Sequence, residues 1–176
     1  MPPVEVIFNS RQTDHMPMLE SRSRAAGELH VLYLGNHGES QQLELVIEAA
    51  RLAREHNPNI TVRFVGDGTQ KPALQDTNRA AGYPVEMWAP SFGQETTAHY
   101  EWADTCVITL RSDWASFAHT VPSKTYELLS YGKHITGVVC GEAANILQQA
   151  GNHEVVDDNA QALADTWLRL AKELWI

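Results

Sequence analysis

The side chains best placed to do chemistry lie in one stretch, LRSDWASFAHTVPSKTYE (110–127), and they are Arg111, Ser123, Lys124 and Glu127. Pro122, Ser123 and Lys124 read as the start of a helix, with Ser123 as its cap. A lysine in a first turn meets the positive end of the helix dipole and is slightly unfavourable there unless an anion comes to it. Lys124 and Glu127 are three apart and share a helix face, so an intrahelical ion pair of roughly 0.2–0.5 kcal/mol is one use of them. The other use gives Arg111, Lys124 and the N–H groups of 123–125 to a diphosphate, with Glu127 accepting from ribose hydroxyls. Charge-assisted bonds of that kind contribute about 1.5–3 kcal/mol each and would outweigh the dipole penalty.

A second loop, GNHGESQQ (35–42), offers Gly35, Asn36, Gly38 and Gln41. Its glycines let a ligand approach the backbone ahead of a helix N-terminus, where anions are favoured. It is not a GxGxxG, so the dinucleotide fingerprint is absent. VGDGTQ (65–70) is first a turn. Cys140, beside a helix start, has no histidine placed to activate it, and Glu142 suits a helix N-terminus electrostatically. The eight histidines show no HExxH or paired spacing, so neither a bound metal nor another cofactor is expected. His37 and His119 fall in these loops and read as turn residues.

These loops need a scaffold, and the chain of 176 residues is long enough for one domain with a real core. Thirteen Lys and Arg against 22 Asp and Glu leave a net charge of −9, which argues against nucleic acid or an anionic membrane surface as a partner. Cys106 and Cys140 sit in apolar runs and read as reduced core residues of a cytoplasmic protein. No membrane span or targeting signal is legible.

Apolar runs at 30–35, 60–68, 85–89, 105–110, 134–140 and 153–156 alternate with helical stripes at 41–56, 71–83, 94–103, the stretch from 122, 141–151 and 159–174. Asp158 or Asn159 can cap the last helix. Such alternation predicts an α/β fold, a parallel sheet with helices on both faces. Ligands then bind beyond the carboxyl ends of the strands, where the strand order switches direction. VEVIF and the polar stretch after it, in residues 1–29, and the apolar ending Leu174–Trp175–Ile176 look like the edges of a piece of a larger protein.

Taken in order, LYLGN.G..Q.LE.VIEAA, VRFVGDG, ADTCVITLRSD, VPSKTYELLSYGK and GEAANILQQAG resemble the C-terminal domain of group 1 (family 4) glycosyltransferases. The likeness is greatest to a subgroup with GNxGxxQ and VPSKxxE motifs that works on bacterial surface polysaccharides. It runs from about Val31 to Ala171, and VEVIFNS resembles the family's interdomain strand. The resemblance implies one Rossmann-like half of a GT-B fold, with residues 1–29 an interdomain strand and linker remnant and 30–176 the nucleotide-sugar-binding domain.

It also implies a retaining transferase that moves a sugar from a nucleotide diphosphosugar to a glycan or lipid-linked acceptor. The N-terminal acceptor domain would be missing here, and the fragment inactive alone. No bound metal is implied, and the location is cytoplasmic, with a peripheral seat at the inner membrane open to the full-length protein. Glu127 takes the place of the ribose-binding glutamate, Gly35 and Gly38 face the diphosphate and donor sugar, and the loop at Ala89–Gly93 lies near the base. Two departures stand out. Asn36 and Gln41 occupy the places of an arginine and a lysine that many members put on the phosphates, and His119 stands where the first glutamate of the E-x7-E motif belongs. Arg111 and Lys124 are the candidates to replace the lost cations. A sugar-nucleotide epimerase domain and a non-catalytic nucleotide-binding or assembly module are the alternative readings.

Overall fold

The computed structural model describes residues 18–173; VEVIF and Leu174–Ile176 lie outside them. Six strands, β1 (Leu29–Leu34), β2 (Ile60–Val65), β3 (Val85–Trp88), β4 (Thr105–Thr109), β5 (His134–Val138) and β6 (Glu154–Val155), form one sheet. All pairings are parallel, in the order β3-β2-β1-β4-β5-β6. This is the Rossmann order, in which the chain steps outward one way from β1 and then the other way from β4. Leu29, assigned on sequence to the linker, is the first residue of β1.

A central parallel strand is covered on both faces, so its apolar residues run nearly continuously rather than alternating. Alternate residues of β1 therefore feed two cores. Leu29, Val31 and Tyr33 pack with Val62, Phe64 and Val107 under α1 (Leu43–His56) and α6 (Ala160–Lys172), whose Trp167 is fully buried. Leu32 packs with Cys106, Ile108 and Ile135 under α3 (Gln94–Trp102), α4 (Ser123–Ser130) and α5 (Gly141–Ala150). The remaining helix, α2 (Lys71–Ala80), joins the first core through Leu74. Of the two expected caps for α6, Asn159 serves: its side chain accepts from Ala162 N at 3.0 Å. Cys106 is buried, and burial pushes its thiol up to about 12; Cys140 is only half-buried, less than its apolar surroundings in sequence suggest.

Residues 18–28 run along the amino edge of the sheet. Leu19 N donates to Tyr131 O, and Arg22 pairs with Asp104 at 2.9 Å and Glu28 at 3.2 Å. Two histidines sit at the same edge. Thr105 Oγ1 lies 2.9 Å from His134 Nδ1, and His153 Nδ1 accepts from Ile135 N at 3.1 Å. Burial first, then the charges of His153 and Arg169, hold His134 down at about 3, and burial lowers His153 as well. Between about pH 3 and 6.5 the unfolded chain then binds more protons than the folded one. The stability that His134 contributes is complete above about pH 6.5 and is lost as pH falls, by up to about 1.4 kcal/mol per pH unit, and His153 acts in the same direction. Urea unfolding at pH 7 and pH 5 should show this loss, and His134→Gln should reduce it; a variant with the native pH slope would remove His134 as a source.

Candidate functional site

The two outward walks of the chain part at β1 and β4, which leaves a crevice beyond their carboxyl ends. The loops that follow these strands, 35–42 and 110–122, are the two that sequence marks for chemistry. They are joined there: Arg111 N donates to Ser40 O at 3.0 Å. Leu110 N donates to Val138 O at 3.1 Å and Gly35 N to Val65 O at 3.0 Å, so both loops leave the sheet still hydrogen-bonded to a neighbouring strand.

The first loop is built on a buried histidine. His37 is fully buried, its ring edge-on to Tyr33 and Phe64. Its Nδ1–H donates to Gly35 O at 3.1 Å, while its backbone N donates to Asp67 O and its carbonyl accepts from Gln70 N, both at 2.9 Å. Burial and then the charge of Lys71 lower its pKa, so the ring is neutral, and Nε2 has no hydrogen-bond partner among the described residues. His37 is thus a structural keystone of the turn, in keeping with its reading as a turn residue. Gly66 makes the close approach possible. Its φ is +146°, and a Cβ there would stand 2.0 Å from Gly35 O. Gly66, read on sequence as a turn residue, is what lets the second strand's loop lie against the first.

Of the residues expected on a ligand, Asn36 is exposed, and its carbonyl accepts from Tyr33 Oη at 2.6 Å. Gln41 turns back on its own loop, where Oε1 accepts from Gly38 N at 3.1 Å. The helix expected from 41 begins later. Glu39–Gln41 make a 3-10 turn, Gln42 takes a left-handed conformation at φ 49°, and α1 starts at Leu43.

On the other side of the crevice, Ser123 is the first helical residue of α4 and not its cap. Pro122 precedes it with φ −56°, and no side chain caps the helix. The first-turn N–H groups are therefore left without a side-chain acceptor. Lys124 Nζ lies 2.7 Å from Glu127 Oε2 and donates to Tyr100 Oη at 3.2 Å. Arg111 grips Asp113 with Nε and Nη2, both at 3.1 Å, and this hydrogen-bonded pair holds the Asp113 carboxyl below the usual carboxylate range. Both candidate cations are thus paired with a carboxylate of their own segment. His119 ends a 3-10 turn at Ala115–His119 and is exposed, and Ala89 and Gly93 are exposed beyond β3.

Two buried hydroxyls went unmarked on sequence: Thr109 Oγ1 at the end of β4 and Thr125 Oγ1 in the first turn of α4. Neither has a hydrogen-bond partner among the described residues. For Thr109 the one available signal was a threonine closing TCVIT, a strand that also opens on one, Thr105. Among the described residues no group of three or more His, Cys, Asp or Glu is placed to hold a metal ion, and no described helix is long and apolar enough to cross a membrane.

The sequence pattern of the family "Glycosyl transferases group 1" matches residues 28–173. No curated protein matches in sequence. Among solved structures, a TarM variant from S. aureus, in complex with fondaparinux, alpha-GlcNAc-glycerol and UDP, superposes with a TM-score of 0.68 at 15% identity, over 97% of this chain and 33% of that one. Anabaena HepE in complex with UDP and glucose gives 0.67 at 14% identity, over 84% and 40%. The C-terminal domain of the group 1 family protein LpcC from Francisella tularensis gives 0.63 at 17%, over 82% and 76%. The chain thus spans about a third of the TarM variant and most of the isolated LpcC domain.

Proposed function

The chain belongs to the glycosyl transferases group 1 family and has the fold of one Rossmann-like half of a GT-B glycosyltransferase; from that premise we propose that it is the half that holds the sugar donor. The donor is a nucleotide diphosphosugar, and the full-length enzyme transfers its sugar with retention to a glycan or lipid-linked acceptor in surface polysaccharide biosynthesis. An N-terminal domain supplies the acceptor site, and the work is done in the cytoplasm.

One observation carries the reading: the Arg111 N to Ser40 O bond brings the glycine loop and the loop leading to α4 together at the switch point. A diphosphate in that crevice meets the backbone at Gly35 and Gly38 on one side. On the other it meets the uncapped start of α4, with Ser123, Lys124 and Arg111. Glu127, one turn further in, is set to accept from the ribose. The leaving diphosphate is then stabilised by fixed N–H groups and side-chain cations, chemistry that has no need of a resident metal. That the structural neighbours include complexes with UDP supports a nucleoside diphosphate as the ligand.

Calorimetric titration of the chain with UDP, GDP and ADP, with and without EDTA, tests this. Saturable binding of one of the three is expected, unchanged by the chelator, with no sugar transfer by the chain alone. Absence of binding to all three would overturn the reading.

A further inference from the structure

The reading above gives the transferred sugar no side chain of its own, only the backbone of the glycine loop. We propose that Trp114 supplies one, as an aromatic floor for the pyranose ring of the donor; this rests on the donor-binding reading.

Three observations lead there. Trp114 lies three residues beyond Arg111, whose backbone is tied to the glycine loop at the crevice. A sugar hangs from the far end of the diphosphate by a single oxygen, so it must lie in reach of whatever flanks the phosphate-facing residues. Trp114 flanks Arg111: the guanidinium carbon is 5.6 Å from the indole centroid. That is too far for a closed stack. Arg63 over Trp102, at 3.7 Å, shows what a closed stack looks like in this protein.

The indole is also held in place while staying open. It stacks on Phe117 at 5.1 Å and 27°, yet remains 40% exposed. The turn that carries Phe117 is pinned to the start of α5, where Gly141 adopts φ +59° and a Cβ would stand 2.0 Å from Ala118 O. Ser112 donates to Asp158, which anchors the other end of the loop. A large aromatic fixed this firmly at the surface contributes nothing to either core.

Finally, the groups around the indole suit a carbohydrate. The ring offers an apolar face to the axial C–H bonds of a pyranose. Beside it the exposed Asp113 carboxylate, released as Arg111 turns to the diphosphate, offers acceptors to the equatorial hydroxyls. An apolar peptide would leave that carboxylate unanswered, whereas a sugar answers both the ring and the carboxylate.

The test separates the sugar from the nucleotide. The native chain, Trp114→Ala and Trp114→Phe are each titrated with UDP and UDP-glucose, GDP and GDP-mannose, and ADP and ADP-glucose. For the nucleotide that binds, Trp114→Ala should lower the ratio of sugar-nucleotide to nucleotide affinity by about three- to tenfold while nucleotide affinity stays within about twofold. Trp114→Phe should keep most of the native ratio. An unchanged ratio in Trp114→Ala overturns the proposal and leaves donor binding standing, and so does an equal fall for nucleotide and sugar nucleotide. Failure of the native chain to bind any nucleotide removes the donor-binding reading itself, and this proposal with it.

Discussion

Gly66→Ala is expected to cost the fold about 3 kcal/mol or more and to take the glycine loop's geometry with it. Two penalties add. At φ +146° an alanine occupies a region that L-residues avoid, at a cost of about 1–3 kcal/mol. Its Cβ would also stand 2.0 Å from the Gly35 carbonyl oxygen, 3.1 Å from the carbon of the same carbonyl and 3.1 Å from His37 Cε1. Backbone cannot swing aside as a side chain can, so one of the two loops must move, with an overpacking cost of about 1–3 kcal/mol. Either way the contact that holds Gly35 and His37 against the second loop is lost, so nucleotide affinity should fall together with stability. Urea unfolding with an unchanged m-value, set beside a nucleotide titration, checks both. A loss below about 1 kcal/mol would mean that the two loops are not locked at this point.

How much of this was legible beforehand depends on what kind of force sets each feature. The sheet and its helices were readable because burial dictates composition: HVLYLG and TCVITL are apolar but for His30, Thr105 and Thr109, as strands covered on both faces tend to be, and helical stripes separate them. That alternation put the ligand site at the carboxyl ends of the strands, while its place between β1 and β4 needed the strand order of the fold.

The start of α1 was not readable. Gln42 is left-handed without being glycine or asparagine, held so by the loop's attachment to its neighbours and not by its own preference. Ser123 was misplaced by one position because its type suits a cap, whereas Pro122 takes that place and offers no side chain to the first-turn N–H groups. The histidine keystone was invisible for another reason. A lone histidine in a polar loop looks exposed, and only the packing of Phe64 and Tyr33 around it buries it. The pairing of Arg111 with Asp113 was in plain view two residues apart, yet only the fold shows that the two side chains meet.

The electrostatics of the crevice follow from these pairings. With a net charge of −9 the protein as a whole repels a diphosphate, so binding depends on local groups. Each candidate cation already has a carboxylate partner: Arg111 has Asp113 and Lys124 has Glu127. A bound diphosphate must therefore compete with an internal carboxylate for each cation. The two carboxylates differ in setting. Asp113 is well exposed, where water and salt weaken its hold, while the Glu127 side chain is only 17% accessible. Arg111 is thus the easier of the two to turn to a ligand, and Lys124 the one whose capture by Glu127 matters.

That competition sets the outcome at α4. Lys124→Ala should weaken binding of the preferred nucleoside diphosphate by about tenfold or more, on the order of 1.5 kcal/mol, since it removes a charge-assisted bond to phosphate. Glu127→Ala is expected to weaken the same nucleotide comparably if the carboxylate accepts from the ribose, even though it frees Lys124. Inorganic pyrophosphate separates the two roles, because it has phosphates and no ribose. Lys124→Ala should lose affinity for pyrophosphate as it does for the nucleotide. Glu127→Ala should gain pyrophosphate affinity, because the competing carboxylate 2.7 Å from Nζ is gone. Opposite signs for the two ligands in one variant cannot come from a general loss of folding. If Glu127→Ala lost both ligands alike, the glutamate would be holding Lys124 in place for the phosphate instead of meeting the ribose. If it lost neither, the ion pair would be only the small intrahelical one that its spacing allows, and the ribose contact would have to come from elsewhere on the crevice wall.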